Sequence, residues 1–110
     1  MEKKWIDLTG RIVIVTGGSM GIGEAIVEDL KNCGAKTAIF DMAEPKPEAL
    51  DDNTMFVKLD IRNKSEVEAA VAQVVERFGT VDALVNNAGV TRPRILVDYY
   101  KARPEYELSE

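Results

Sequence analysis

Residues 13–23 read VIVTGGSMGIG, and this run constrains the fold more than any other. Val13, Ile14 and Val15 belong to a short apolar segment, RIVIVT at 11–16, that lacks the polar alternation of a half-exposed strand. Such a segment suits a strand buried on both faces, as in a parallel sheet. Four of the seven residues at 17–23 are glycine, and the period then changes. Ile22, Ala25, Ile26, Leu30 and Cys33 fall on one helical face, with Glu24, Glu28, Asp29 and Lys31 mostly elsewhere. Gly34 is a natural stop for that helix. The chain therefore passes from a buried strand, through a glycine turn, into an amphipathic helix.

The following segments repeat the alternation. AKTAIFD at 35–41 reads as a second strand. Residues 42–54 carry Pro45, Pro47 and a cluster of turn formers, close to the shortest crossover that can join parallel strands, with room for at most one helical turn. MFVKLD at 55–60 reads as a third strand. Asn63 with Glu66 three residues later resembles a capping box, and Val67, Ala70, Val71, Val74, Val75 and Phe78 mark a helix that Gly79 ends. VDALVNN at 81–87 is a fourth, nearly continuous apolar strand. Strands alternating with helices predict an α/β fold with a parallel sheet. Right-handed crossovers put the two helices on opposite faces if the strand order reverses after the third strand, giving the order 3-2-1-4. A length of 110 residues suits one small domain.

Composition excludes several functions. The net charge of −5 and the lack of a basic patch argue against a nucleic-acid partner. No apolar run approaches the ~18 residues of a membrane span, and MEKKWIDLTG lacks the features of a secretion signal. One cysteine, Cys33, excludes an internal disulfide and fits a reducing, cytoplasmic setting. Its apolar helix position reads as simple burial. Trp5 reads as packing of the N-terminal segment onto the sheet. The absence of histidine excludes His-based triads and His metal sites, and no metal site is expected.

Gly17, Gly21 and Gly23 lie where the strand gives way to the helix. A helix N-terminus exposes unpaired N–H groups and the positive end of the dipole, where a diphosphate binds well if no side chain blocks it. Gly17 permits the sharp exit, Gly21 a close backbone approach, and Gly23 close packing of helix on sheet; Ser19 could add a hydroxyl donor. No GK[ST] follows, so this is not a P-loop. A glycine turn of this kind also arises for structural reasons alone, but its place after a strand and before a helix is what a dinucleotide fingerprint requires. Asp41 lies 18 residues after Gly23 (41 − 23), near the roughly 20 expected of a ribose-binding acid. A carboxylate there can accept both ribose hydroxyls and repels a 2′-phosphate, which favours NAD over NADP; its other reading is a turn cap. Lys36 and Lys58 could meet a 2′-phosphate, but Asp41 argues against that.

Taken together, these residues resemble the short-chain dehydrogenase/reductase family. Residues 16–23, TGGSMGIG, match its TGxxxGxG motif; residues 86–89, NNAG, match a second motif; Asp60-Ile61 matches the position beside the adenine. The resemblance runs from about Leu8 to Gly89. It implies a Rossmann-type, three-layer doubly wound fold, of which the chain holds part. It implies that Gly17, Ser19, Met20, Gly21, Ile22 and Gly23 wrap the adenosine ribose and diphosphate, and that Asp41 holds the ribose hydroxyls. By the same resemblance Asp60 accepts from the adenine amino group with the Ile61 N–H nearby, and Asn87, Ala88 and Gly89 line the middle of the cofactor. Asp60 has a second reading as an N-terminal turn cap, and Asn86 reads as a brace of the sheet. The implied activity is hydride transfer between NAD and a carbonyl or alcohol, such as a sugar or polyol, by a homo-oligomer, a tetramer or dimer.

The family's catalytic pair, YxxxK, is missing. Tyr99 is followed four residues later by Arg103, Tyr100 by Pro104 and Tyr106 by Glu110, so the chain holds no catalytic residue. Tyr99-Tyr100-Lys101 does not substitute, because that spacing cannot share a helix face. Leu108-Ser109-Glu110 resembles a helix entry, which leads us to expect that residues 1–110 are the N-terminal, cofactor-binding part of a longer NAD(P)-binding domain. Alone, the chain is expected to be inactive and to bind NAD weakly or not at all. Arg92, Arg94, Lys101 and Arg103 concentrate positive charge in residues 91–107, longer than the family's usual link. That segment reads either as a solvated loop or oligomer contact, or as a rim attracting an anionic substrate. A competing function is a non-catalytic NAD-binding or structural module.

Overall fold

The computed structural model describes residues 6–88. Four parallel strands carry the core: β1 (Ile12–Thr16), β2 (Lys36–Asp41), β3 (Thr54–Lys58) and β4 (Ala83–Asn86). They lie in the order β3-β2-β1-β4, as the alternation of elements predicts. Helix α1 (Gly21–Asn32) joins β1 to β2, and α2 (Lys64–Phe78) joins β3 to β4. Between β2 and β3 the crossover forms a single 3-10 turn, Pro47–Ala49, within the one-turn limit that its prolines set.

The apolar run of β1 follows from its position. It pairs with β2 on one side and β4 on the other, with Ile14 opposite Ala38 and Leu84. Successive side chains alternate between the two faces of the sheet. Ile12 and Ile14 therefore pack with Phe40, Met55, Ala70 and Val74 beneath α2, while Val13 and Val15 pack with Val27 and Ile39 beneath α1. Because both faces are covered, neither set can be polar. The two helices lie on opposite faces because the crossover from β3 to β4 runs back across the sheet, reversing the direction in which right-handed connections advance.

The stripe by which α1 docks differs from expectation. Ile26, Leu30 and Cys33 pack inward, but Ala25 is exposed and Ile22 is 74% exposed. Gly23 and Val27 form the buried centre instead. The helix approaches most closely where it has no side chain, so its axis is set by Gly23 rather than by the count of apolar residues. On α2, Asn63 caps the first turn by accepting the Glu66 N–H at 3.1 Å. The reciprocal bond of a capping box is displaced, since Glu66 accepts the N–H of Asp60 at 2.9 Å rather than that of Asn63. Gly79 closes α2 in the left-handed region at φ 97°.

Among the described residues, β4 forms one edge of the sheet. Asp82 anchors its start: the carboxylate accepts the Ile12 N–H at 2.8 Å, and the Asp82 N–H donates to the Ile12 carbonyl at 2.8 Å. Leu84 is 60% exposed, so the apolar character of this strand is not explained by burial among the described residues.

Candidate functional site

Parallel strands end together, and the carboxyl ends of β1, β2 and β4 bring three separate segments to one rim: the glycine turn, the residues after Asp41, and Asn87-Ala88. The strand order reverses between β1 and β4, and in open α/β sheets that reversal opens a ligand crevice beyond the strand ends.

Gly17 leaves β1 with φ 69°, a conformation that strains any residue with a Cβ. A Cβ there would also stand 2.9 Å from the Ala88 Cα. Gly23 meets a different constraint: a Cβ on it would overlap the Gly17 carbonyl oxygen and come within 2.6 Å of Asn87 Nδ2. Gly21, at φ 62°, faces open space with nothing within 4 Å of a would-be Cβ. The N-cap of α1 is Met20, in extended conformation and without a side-chain capping bond; its side chain is exposed, as is that of Ile22. The first turn of α1 thus presents N–H groups with no side-chain cap beside an unobstructed glycine, and this geometry accepts an anion.

Asp41 ends β2 and reaches the glycine turn. One carboxylate oxygen accepts the Ser19 N–H at 3.1 Å and the other the Ala43 N–H at 3.1 Å. Each oxygen retains acceptor capacity for a hydroxyl donor. The Ser19 hydroxyl, read as a donor for a ligand, instead donates to the Ala43 carbonyl at 2.6 Å.

Asn87 donates from Nδ2 to the Gly17 carbonyl at 3.2 Å, tying the end of β4 to the glycine turn. Thr16 heads the TGxxxGxG motif but is given no role by the sequence, yet it organises this junction. Its oxygen accepts the N–H groups of Asn87 and Ala88, both at 2.9 Å, and its proton faces Asn86 Oδ1 at 3.2 Å and the Val85 carbonyl at 3.4 Å. One proton serves one acceptor at a time, and the shorter contact favours Asn86, in line with its reading as a brace. The available signal is a hydroxyl residue closing an otherwise apolar strand.

Asp60 and Ile61 follow β3, beyond β2, at the far end of this rim. Ile61 packs against the core beneath α2. Asp60 makes an ion pair with Arg62, accepting its Nε at 3.1 Å, its NH2 at 3.0 Å and its backbone N–H at 2.9 Å. Those Arg62 bonds hold the Asp60 carboxyl below the usual aspartate range. The structure thus brings Gly17, Ser19, Met20, Gly21, Ile22, Gly23, Asp41, Asn87 and Ala88 to one rim and sets Asp60 and Ile61 apart. Gly89, Trp5 and residues 91–107, with the tyrosines and the arginine-rich segment, lie outside the described residues. Uncapped N–H groups beside an open glycine, with a carboxylate across from them, are a donor set and an acceptor that fit the diphosphate and ribose of a dinucleotide.

The comparisons with known proteins agree with this geometry. A family model described as short chain dehydrogenase matches residues 11–105. Sorbitol-6-phosphate 2-dehydrogenase of Klebsiella pneumoniae is 40% identical over 106 residues, which cover 96% of this chain and 40% of that protein. A 3-oxoacyl-(acyl-carrier-protein) reductase of Vibrio cholerae is 41% identical over 96 residues, covering 84% of this chain and 39% of that protein. The chain spans about two fifths of the length of these relatives. Among solved structures, a 3-ketoacyl-(acyl-carrier-protein) reductase from Brucella melitensis complexed with NADH superposes with a TM-score of 0.71 at 35% identity, over 76% of this chain and 36% of that one. The chain belongs to the short-chain dehydrogenase family.

Proposed function

We propose that residues 1–110 form the cofactor-binding part of an NAD-dependent oxidoreductase acting on a carbonyl or alcohol, with a sugar or polyol as substrate class. The observation that carries this reading is Asp41, a carboxylate at the end of β2 whose oxygen takes the Ser19 N–H of the glycine turn. A bound nicotinamide cofactor supplies the hydride donor or acceptor. The residues of this chain hold and orient it. The N–H groups at the start of α1 hold the diphosphate beside Gly21, and Asp41 accepts the adenosine ribose hydroxyls. Its negative charge disfavours a 2′-phosphate, hence NAD over NADP. Asn87, Ala88 and Gly89 line the middle of the dinucleotide. Asp60 and Ile61 border the adenine, and there Arg62 competes for the carboxylate that would accept the amino group.

The likeness to sorbitol-6-phosphate 2-dehydrogenase and to L-fucose dehydrogenase of Rattus norvegicus, 34% identical over 105 residues, supports the sugar or polyol class. The catalytic acid/base is assigned to a YxxxK helix beyond Glu110, in a cytoplasmic homo-oligomer, a dimer or tetramer. A second reading is a non-catalytic NAD-binding module. Oxidation of polyols by the full-length protein, followed by reduced-nicotinamide absorbance with NAD and with NADP, separates the two. We expect activity with NAD, and we expect Asp41→Ala to narrow the preference. Equal activity with both cofactors in the unmodified protein contradicts the role of Asp41, and binding of NAD without turnover of any carbonyl or alcohol favours the second reading.

A further inference from the structure

Ser19 is 4% exposed, and both of its hydrogen-bonding donors are spent on the end of β2 and the residues just after it. Its N–H binds one oxygen of Asp41, and its hydroxyl binds the carbonyl of Ala43, whose own N–H binds the other oxygen of Asp41. The three bonds close a ring through Ser19, Ala43 and the carboxylate. Rotation of the Asp41 carboxylate would break two of them together. The Asp41 main chain is held separately, its carbonyl accepting the Leu59 N–H at 3.0 Å. What the ring adds is the orientation of the carboxylate. The chain beside Ala43 is open, with Met42 59% exposed, Ala43 half-buried and Glu44 exposed, before Pro45 is buried and Lys46 pairs with Glu24 at 3.4 Å.

We propose that Ser19 is a positioning residue for cofactor choice, its hydroxyl locking the Asp41 carboxylate in the orientation that receives two ribose hydroxyls. The inference rests on the role given to Asp41 above. Ser19 acts through Asp41 and through the path of residues 41–43, not by donating to the dinucleotide. The two halves of cofactor choice depend differently on that lock. Hydrogen bonds to ribose hydroxyls weaken steeply when the acceptor turns away. Repulsion of a 2′-phosphate falls only as the inverse of distance. Loss of the Ser19 hydroxyl therefore weakens NAD binding more than it strengthens NADP binding.

The test is a double-mutant cycle in the full-length protein, with Kd for NAD and for NADP measured by calorimetric titration for the unmodified protein, Ser19→Ala, Asp41→Ala and the double variant. Ser19→Ala is expected to lower the NAD preference about fivefold, the effect of one hydrogen bond, almost wholly through a higher Kd for NAD. Ser19→Thr, which keeps the hydroxyl, is expected to hold the preference near its unmodified value. In the Asp41→Ala background, Ser19→Ala is expected to leave the preference unmoved, as coupling through Asp41 demands. An unchanged preference in Ser19→Ala overturns the inference, as does an equal fall in both backgrounds. If thermal unfolding shows that Ser19→Ala does not fold, Ser19→Cys, with its weak donor, replaces it: a partial fall in preference supports the lock, and no fall overturns it. Asp41→Ala without any change in preference is a separate result, which removes the proposed role of Asp41 and this inference with it.

Discussion

The Thr16 hydroxyl oxygen accepts the backbone N–H of Asn87 at 2.9 Å. Ala88 shares the same acceptor, so one side chain at the end of β1 satisfies two consecutive donors at the end of β4. Thr16 is 7% exposed, and replacing its hydroxyl by a methyl leaves those donors without a protein partner. Thr16→Val is therefore expected to destabilise the fold by about 2 kcal/mol, between the net worth of one bond and the cost of two orphaned donors. Thr16→Ser keeps the acceptor and should cost less than about 1 kcal/mol. Urea unfolding measures both, and equal midpoints for Val and Ser at this position would count against the hydroxyl as the organiser of the junction.

Gly21 and Gly23 are two residues apart and should respond differently to alanine. At Gly21 the obstacle is the left-handed backbone alone, because the space around it is open; the expected loss is about 1 kcal/mol. At Gly23 the new methyl overlaps the main-chain oxygen of Gly17, which no rotamer change can relieve. The start of α1 must then move away from β1, and the expected loss is about 3 kcal/mol or more. Thermal unfolding of the two variants checks the ranking; equal losses would show that α1 shifts freely at its N-terminus.

The pairing of Asp60 with Arg62 sets a pH dependence. Its hydrogen bonds to the Arg62 side chain and backbone lower the folded pKa of Asp60 below the usual aspartate value. A depressed carboxylate stabilises the folded state above its unfolded pKa, and that contribution is lost as pH falls through the folded value. Because the pair is exposed, the effect on overall stability is expected to be small. The site-specific signal is sharper: carbon NMR should show Asp60 titrating below the ordinary aspartate midpoint, and Arg62→Ala should move it up toward that midpoint. An Asp60 midpoint unchanged by Arg62→Ala would mean that the ion pair does not persist in solution.

Much of this fold is readable in the primary structure because its signals are periodic. RIVIVT lacks polar alternation since β1 is covered on both faces, and the spacing from Val67 to Phe78 matches the stripe that α2 buries, with Val75 at its exposed margin. The readings that needed correction depend on contacts between distant segments. The docking axis of α1 is set by the absence of a side chain at Gly23, which a count of apolar residues cannot weigh. The Ser19 hydroxyl is taken by a carbonyl 24 residues on, and the Thr16 oxygen by donors 71 and 72 residues on. Arg62 sits two residues from Asp60, close enough to notice, but its fork closes on the carboxylate only in the turn that precedes α2. Motifs thus locate the rim, while the bonds that hold the rim together come from tertiary structure.

Leu84 and Ile14 are register partners in neighbouring strands, yet Ile14 is 3% exposed and Leu84 60%. The difference arises because α2 covers the sheet over β1, β2 and β3 but leaves Leu84 of β4 bare at the edge. An apolar edge strand is a template for pairing with another chain. In the 110-residue chain, Leu84→Lys removes little buried surface, so the unfolding free energy should change by only about 0.5 kcal/mol. The added charge on the edge should slow self-association, measured by light scattering during refolding at several protein concentrations. In a longer polypeptide that covers β4, the same substitution would bury a charge and lower stability by several kcal/mol. Association of the Leu84→Lys variant as fast as that of the unmodified 110-residue chain would rule out the β4 edge as the adhesive surface. A loss of stability already present in the 110-residue chain would mean that Leu84 is covered in solution.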